Sequence, residues 1–216
     1  MFTLTVRNTP ILAVSKSIPY ELERLGVKVD VRVIDPGVGV DPCPFGGLDR
    51  VFDVTFFARV APEKGVFDFL RVVANLVKWR RGIRALVMGF GSGDMAVRTR
   101  RIASELGIAG NVEFRFNVPR DEAMRLLAQS KLMIYPTRLD AFPLSVLEAL
   151  SCGTPVIAYA IPAIRFNYAG TRAVIKTKPL DIEEMTRRTI ETLESDAWRG
   201  WAGKPWNSQR NTHGKT

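Results

Sequence analysis

The chain has 216 residues, of which 46% are hydrophobic and 25% are charged, and its net charge is +9. This composition is typical of a globular protein with one ordinary domain and a remainder. No run approaches the roughly 18 apolar residues of a membrane span, and the first twenty residues lack the layout of a secretion signal. We therefore expect a cytoplasmic protein.

Cysteine and histidine are scarce, which limits the chemistry that the chain can perform. Cys43 and Cys152 provide neither a disulfide framework nor a metal-ligand spacing, and Cys152 is predicted to be a packed thiol. The single histidine, His213, excludes His-based metal sites and His-dependent triads. Any catalysis must rely on carboxylates, cations and the phosphates of a substrate.

The positive charge admits several kinds of partner. Basic residues cluster around one predicted helix exit, at Lys78, Arg80, Arg81 and Arg84. A solvated surface is the first interpretation, and peripheral contact with an acidic membrane is the second. No nucleic-acid motif accompanies these residues, so we expect no nucleic-acid partner.

The first fifty residues predict a small αβ unit and a linker. Residues 11–14 indicate a strand that enters a helix with Ser15 or Ser17 as its cap, and residues 29–34 indicate a second strand. Residues 42–50 are rich in proline and glycine, which is typical of a linker between domains.

From residue 51 onward, predicted strands alternate with helices. The strands are Val51–Ala58, Arg84–Met88, Val112–Phe116 and Leu132–Tyr135, and the clearest helix follows the first strand, from Val66 to about Trp79. Such alternation predicts an α/β, Rossmann-like parallel sheet with helices on both faces. Ligands bind such sheets at the carboxyl ends of the strands.

Charged and small residues follow these strand ends. Arg59 and Lys64 flank the start of a helix, where two cations and the helix dipole form an anion site. Gly89 and Gly91 belong to a glycine-rich turn that has neither the dinucleotide nor the P-loop spacing. Asp140 precedes a helix opened by Pro143 and ended by Gly153.

The region from Tyr135 to Val156 resembles the acidic-x7-acidic signature of retaining glycosyltransferases with the GT-B fold, often called family 4. The matching residues are Asp140, Phe142, Pro143, Leu144, Glu148, Ala149, Gly153, Pro155 and Val156. Residues 59–65 are similar to the family's Gly-Arg-x-x-Pro-x-Lys-Gly run. Ala58 replaces the family's glycine, and Asp140 replaces a glutamate that is one methylene longer.

This resemblance covers about residues 10–195 and implies a role for each matching position. Glu148 would bind the donor ribose, and Asp140 would contact the donor sugar near its anomeric carbon. Arg59 and Lys64 would grip the diphosphate and stabilise it as the leaving group. The catalytic set is therefore Asp140, Arg59 and Lys64.

The remaining donor-binding positions surround these groups. The resemblance implies that the Gly89 and Gly91 turn lines the donor pocket and that Val118 contacts the nucleotide base. Phe142, Pro143 and Leu144 complete the set. No Asp-x-Asp motif occurs, so we expect metal-independent binding and no cofactor beside the nucleotide sugar.

The resemblance also implies a domain organisation. Residues 1–41 correspond to a remnant of the N-terminal acceptor domain, 42–50 to the linker, and 51–195 to the C-terminal half of a GT-B fold, a nucleotide-sugar-binding domain. Residues 196–216 form a Trp-rich basic tail that is predicted to be partly disordered.

These assignments predict the donor-binding half of a hexosyltransferase-type retaining glycosyltransferase with a UDP- or GDP-sugar donor. The acceptor side would come from a separate acceptor domain or a homodimer partner. Two alternatives remain: a nucleotide-sugar-binding module without turnover, and another GT-B enzyme such as a sugar-nucleotide epimerase.

Overall fold

The computed structural model describes residues 10–34 and 40–201. Its main body is a six-stranded sheet with helices packed on it, preceded by a two-stranded unit. The strands are β1 Ile11–Ala13, β2 Val31–Val33, β3 Phe52–Phe57, β4 Ala85–Gly89, β5 Val112–Phe116, β6 Ser130–Tyr135, β7 Val156–Tyr159 and β8 Val174–Thr177. The helices are α1 Ser17–Arg24, α2 Val66–Trp79, α3 Gly93–Glu105, α4 Arg120–Ala128, α5 Leu144–Ser151, α6 Pro162–Asn167 and α7 Ile182–Glu194.

The main sheet is entirely parallel, in the order β5-β4-β3-β6-β7-β8. Helix α2 packs against α3 and α7, whereas α4 packs against α5, so helices cover both faces. The predicted Rossmann-like fold class is confirmed. The strand order reverses between β3 and β6, and this switch point is where such sheets bind ligands.

The buried strands and helices follow from their side-chain patterns. Strand β4 is buried along its whole length, as expected for a parallel strand covered on both faces. Helix α2 runs over the predicted residues, and its apolar positions recur at helical spacing on one buried face: Val66, Phe69, Leu70, Val73 and Leu76. Trp198 also packs into the core, which attaches the start of the predicted tail to the domain.

The two-stranded unit packs on the end of the main domain. Strands β1 and β2 pair in parallel, and α1 lies between them in sequence. The Ser15 hydroxyl donates to the side-chain oxygen of Asn167 over 3.1 Å, and the rings of Tyr20 and Phe166 lie 5.3 Å apart. Residues 10–34 therefore contact α6, and their assignment to an acceptor domain stays a prediction.

The linker ends at a half-buried arginine, Arg50, that holds the carboxyl end of α5. The Arg50 guanidinium donates to the hydroxyl of Thr154 over 2.6 Å and to the carbonyls of Cys152 and Gly153 over 3.1 Å each. Carbonyls at a helix end attract a cation. Burial lowers the pKa of Arg50 to about 10, so the group stays charged near neutral pH.

The two cysteines are joined as a disulfide, and the prediction of a packed thiol at Cys152 is wrong. Cys43 lies in the linker and Cys152 directly follows α5, and their Cα atoms are 4.9 Å apart. They are separated by 109 residues in sequence, so only the path of the linker past α5 brings them together.

No helix within the described residues is long and apolar enough to cross a membrane. The expected disorder of the tail falls largely on residues 202–216, which lie outside the described part of the chain, as do 1–9 and 35–39.

Candidate functional site

Two connections leave the sheet at its switch point and lie side by side. Residues 59–65 follow β3 and residues 136–142 follow β6, and we call these two segments the loop cluster. The backbone N–H of Arg138 donates to the carbonyl of Glu63 over 3.0 Å, and the Thr137 hydroxyl donates to that of Lys64 over 3.3 Å. The two loops are therefore bonded to each other directly.

Gly65 sets how closely the two loops approach. Its φ of +79° is in the left-handed region, and an added Cβ would overlap the backbone carbonyl of Pro136. The glycine that the sequence places after Lys64 therefore has a structural purpose: a side chain there would force the loops apart.

An ion pair between an exposed arginine and a buried carboxylate fixes the second loop on helix α2. Arg138 donates from two nitrogens to the carboxylate of Asp68, over 2.8 to 3.2 Å, and the Asp68 side chain is only 2% exposed. Tyr159 donates to the same carboxylate over 3.3 Å. Such bidentate pairs are geometrically specific, so this one orients the chain immediately before Asp140. Sequence reasoning missed both Asp68 and Arg138.

The structure brings together two of the three predicted catalytic residues, Lys64 and Asp140, which are 76 positions apart in the sequence. The Lys64 ammonium lies 2.6 Å from Oδ2 of Asp140 and 3.2 Å from the carbonyl of Leu139. Both side chains are 17% exposed, so the pair is largely shielded but reachable from solvent. A cation and a carboxylate thus stand next to each other at the switch point.

Two further donors hold the Asp140 carboxylate. The hydroxyl of Tyr135 donates to Oδ2 over 2.7 Å, and the backbone N–H of Phe142 donates to Oδ1 over 3.2 Å. Burial, followed by the neighbouring charge of Asp140, raises the pKa of Tyr135 well above its usual value. The hydroxyl therefore stays protonated and remains a donor.

Arg59, the other predicted phosphate-binding cation, does not join this pair. Its guanidinium bonds Glu63 over 2.7 Å, and its side chain is 60% exposed. The two residues are four positions apart in an exposed loop, and an exposed ion pair of this kind contributes little to stability. A role for Arg59 in binding phosphate stays a prediction.

The turn after β4 lies against the turn after β3. Gly89 has a φ of +144°, and an added Cβ would overlap the carbonyl oxygen of Ala58. The Asn117 side chain bonds both the N–H and the carbonyl of Gly91, over 3.1 and 3.2 Å. Strand ends β3, β4 and β5 therefore meet at the predicted position, with Val118 half-buried beside them.

Glu148 lies on α5 and pairs with a residue that sequence reasoning missed. Arg120, the first residue of α4, donates to Oε1 of Glu148. The Glu148 side chain is 12% exposed and that of Arg120 is 58% exposed. We call these two residues the helix cluster. The only sequence signal for Arg120 is its place two residues after Val118, at the exit of β5.

The predicted segment between the two carboxylates has mixed exposure. Phe142 is half-buried, Pro143 is buried, and Leu144 at the start of α5 is 45% exposed. The Tyr168 hydroxyl donates to the carbonyl of Pro143 over 2.9 Å. This bond ties the start of α5 to the domain.

Metal ligands do not converge in the part of the chain that the structure describes: no group of three or more His, Cys, Asp or Glu side chains is placed to hold an ion. The site offers instead a shielded Lys64–Asp140 pair, a glycine-rich turn and a carboxylate on a helix. Such a set can bind an anion at one place and hydroxyl groups at two others.

Comparison with solved structures supports the fold. The chain superposes on sucrose-phosphate synthase from Thermosynechococcus elongatus with a TM-score of 0.78 at 19% identity, covering 96% of this chain and 55% of that one. An Anabaena protein solved with UDP and glucose gives a TM-score of 0.74 at 18% identity, covering 93% of this chain and 57% of that one. These matches show the arrangement of strands and helices.

Comparison of sequences gives the family. The D-inositol 3-phosphate glycosyltransferase of Mycolicibacterium smegmatis is 32% identical over 144 residues, covering 61% of this chain and 32% of that protein. The chain thus spans about a third of the length of this relative. The sequence profile described as glycosyl transferases group 1 matches residues 48–199. The chain therefore belongs to the family of group 1 glycosyl transferases.

Proposed function

We propose that this chain is the donor-binding half of a retaining, hexosyltransferase-type enzyme that takes its sugar from a UDP- or GDP-sugar. The observation that carries the proposal is the meeting of Lys64 and Asp140 at the switch point of the sheet. The Anabaena neighbour was solved with UDP and glucose, which supports a nucleotide-sugar donor.

Lys64 is suited to the leaving diphosphate. An ammonium group has three N–H donors, and two of them go to Asp140 and the Leu139 carbonyl. The third donor can bind a phosphate oxygen without breaking the pair. A fixed cation beside the departing phosphate stabilises the charge that develops in the transition state. We propose that Arg59 joins it by exchanging Glu63 for phosphate.

The two carboxylates would take the two sugar rings of the donor. Glu148 would accept the ribose hydroxyls and Asp140 a hydroxyl of the transferred sugar. In the proposed retaining reaction, the leaving phosphate itself takes the acceptor's proton, and the new bond forms on the face that the nucleotide leaves. No histidine or other protein base is then required.

Calorimetry with UDP and GDP tests the binding part of this proposal. We expect the chain to bind a nucleoside diphosphate equally well with and without EDTA, because Lys64 supplies the positive charge. Lys64→Ala should weaken binding about tenfold or more, as expected for a charge-assisted bond. Lys78→Ala serves as the control, because Lys78 is an exposed lysine in the last turn of α2, at the opposite end of that helix from Lys64. Binding abolished by EDTA would overturn the metal-independent mechanism.

Activity tests the proposal that the chain is half of an enzyme. Orienting two reactants can lower a barrier by as much as about 7–11 kcal/mol, and the acceptor domain or a homodimer partner would provide this orientation. We expect the 216-residue chain to hydrolyse donor slowly and to transfer sugar negligibly. Robust transfer by the purified chain would contradict the half-enzyme assignment. Binding without hydrolysis would favour a module without turnover, and epimerised donor would indicate the alternative GT-B enzyme.

We further propose peripheral contact with an acidic membrane at the cytoplasmic side. Lys78, Arg80, Arg81 and Arg84 are all exposed near the carboxyl end of α2. Clustered cations of this kind are attracted to anionic head groups. Flotation with phosphatidylglycerol vesicles should recover the chain, whereas phosphatidylcholine vesicles should not. Equal recovery with both lipids would contradict an electrostatic contact.

A further inference from the structure

The hydrogen bonds around Asp140 leave its two carboxylate oxygens unequal. Oδ2 accepts from the Lys64 ammonium over 2.6 Å and from the Tyr135 hydroxyl over 2.7 Å, whereas Oδ1 accepts from the Phe142 N–H over 3.2 Å. A carboxylate offers about four acceptor positions, two on each oxygen. Within the described residues, both positions of Oδ2 are therefore occupied and one position of Oδ1 is open.

Tyr135 is placed to direct this carboxylate. It is the last residue of β6, and it is 1% exposed, so its ring is fixed by the core. Its hydroxyl reaches the loop that begins at the next residue and meets Asp140 five positions later. A rigid strand thus controls the rotamer of a loop carboxylate, which is how precise sites are held.

We propose that Tyr135 is a positioning residue for the donor sugar: together with Lys64 it occupies Oδ2 of Asp140 and leaves Oδ1 as the oxygen that accepts a sugar hydroxyl. This inference rests on the proposed function, because it assigns the sugar contact to Asp140. It also accounts for the aspartate at this position. A buried tyrosine hydroxyl and a lysine both reach the shorter side chain, so its limited reach is offset by a fixed orientation.

Tyr135→Phe tests the inference because it deletes one hydroxyl and keeps the buried ring. Calorimetry should show UDP affinity unchanged within about twofold, since bare nucleotide does not touch Asp140. Affinity for a UDP-sugar that the wild-type chain binds should fall about tenfold, as expected for one charge-assisted hydrogen bond. Asp140→Asn should show the same split between the two ligands.

Tyr159→Phe is the matched control. Tyr159 is the last residue of the neighbouring strand β7, is equally buried, and donates its hydroxyl to Asp68 instead of Asp140. We expect its affinities for UDP and the UDP-sugar to match those of the wild type, because Asp68 keeps its hydrogen bonds from Arg138 when the Tyr159 hydroxyl is removed. Thermal unfolding of both variants shows whether each remains folded, so a change in sugar binding is not confused with a loss of structure.

A spectroscopic measurement needs no ligand. The carboxyl ¹³C resonance of Asp140, assigned with Asp140→Asn, reports on the donors around that group. It should shift in Tyr135→Phe and stay in place in Tyr159→Phe. An unshifted resonance in Tyr135→Phe would overturn the hydrogen bond on which the inference depends, whatever the binding data show.

The binding outcomes separate this inference from the proposed function. A wild-type chain that binds neither UDP nor GDP overturns both. A wild-type chain that binds the UDP-sugar, with Tyr135→Phe binding it equally well, overturns the positioning role of Tyr135 alone. Equal losses for UDP and the UDP-sugar also overturn it, because they would mean a general disturbance of the site.

Discussion

The loop cluster and the helix cluster hold their carboxylates in different ways. Asp140 accepts hydrogen bonds from Lys64, Tyr135 and the Phe142 backbone, inside two loops that are bonded to each other. Glu148 is held by Arg120, whose side chain is largely in solvent. One carboxylate is held by largely shielded side chains, and the other is paired with a side chain that is mostly exposed.

This difference agrees with the two roles proposed for the carboxylates, a sugar contact for Asp140 and a ribose contact for Glu148. A group that must be aligned with a reacting carbon gains from being oriented before the ligand arrives, since misplacement lowers the rate steeply. A group that only binds a ribose can exchange an exposed partner for the ligand hydroxyls at small cost. Rigidity is thus greatest where the proposed chemistry occurs.

The largest expected effect tests the rigidity of the loop cluster. Gly65→Ala should lower the free energy of unfolding by about 4 kcal/mol, because the new Cβ meets the Pro136 carbonyl at a left-handed φ. Gly82→Ala is the matched control: nothing lies within 4 Å of its added Cβ, and its φ is not positive, so we expect a change within about 0.5 kcal/mol. Urea unfolding measures both. Equal stabilities would mean that the loops can separate freely.

The second-largest expected effect is a loss of stability at the carboxyl end of α5, the helix that carries Glu148. Helix α5 is anchored at its carboxyl end by Arg50 and by the Cys43–Cys152 disulfide. Cys43→Ser should lower the unfolding free energy by about 3 kcal/mol, since the disulfide closes a loop of about a hundred residues. Reductant should destabilise the wild type by a similar amount and leave Cys43→Ser unchanged. A wild type indifferent to reductant would show that the disulfide does not form in solution.

The smallest effect tests the exposed partner of Glu148. Arg120→Ala should change the unfolding free energy by less than about 0.5 kcal/mol and weaken UDP binding less than fivefold, because the arginine is mostly solvated. Glu148→Gln should weaken UDP binding at least tenfold, since it removes the charge that accepts the ribose hydroxyls. Arg125→Ala, an exposed arginine on the same helix, is the control. A loss from Arg120→Ala as large as that from Glu148→Gln would give Arg120 a direct role.

The sequence predicted the strands, helices and turns that surround the site, because these depend on local patterns. Helix α2 and strand β5 have the predicted bounds, since apolar periodicity and turn residues determine them. Gly65 and Gly89 occupy positive-φ positions in the predicted turns. The carboxyl ends of β3, β4, β5 and β6 converge because the strands are parallel neighbours.

The contacts that the sequence did not reveal join residues far apart in the chain. Arg138 and Asp68 are 70 residues apart, Arg120 and Glu148 are 28 apart, and the two cysteines are 109 apart. Each alone resembles an ordinary surface charge or a packed thiol. Tyr135 was assigned only to a buried strand, because nothing local shows that its hydroxyl meets a carboxylate.

By itself, the sequence determined the α/β class, the family and the loops that carry the site, because these follow from periodicity and short motifs. Only the tertiary structure decided that Lys64 rather than Arg59 meets Asp140, and that Cys43 meets Cys152. The physical reason is distance: a hydrogen bond or disulfide requires atoms to lie within a few ångströms. The order of strands in the sheet determines which loops lie next to each other, and therefore which side chains come into contact. No local sequence pattern reveals these contacts.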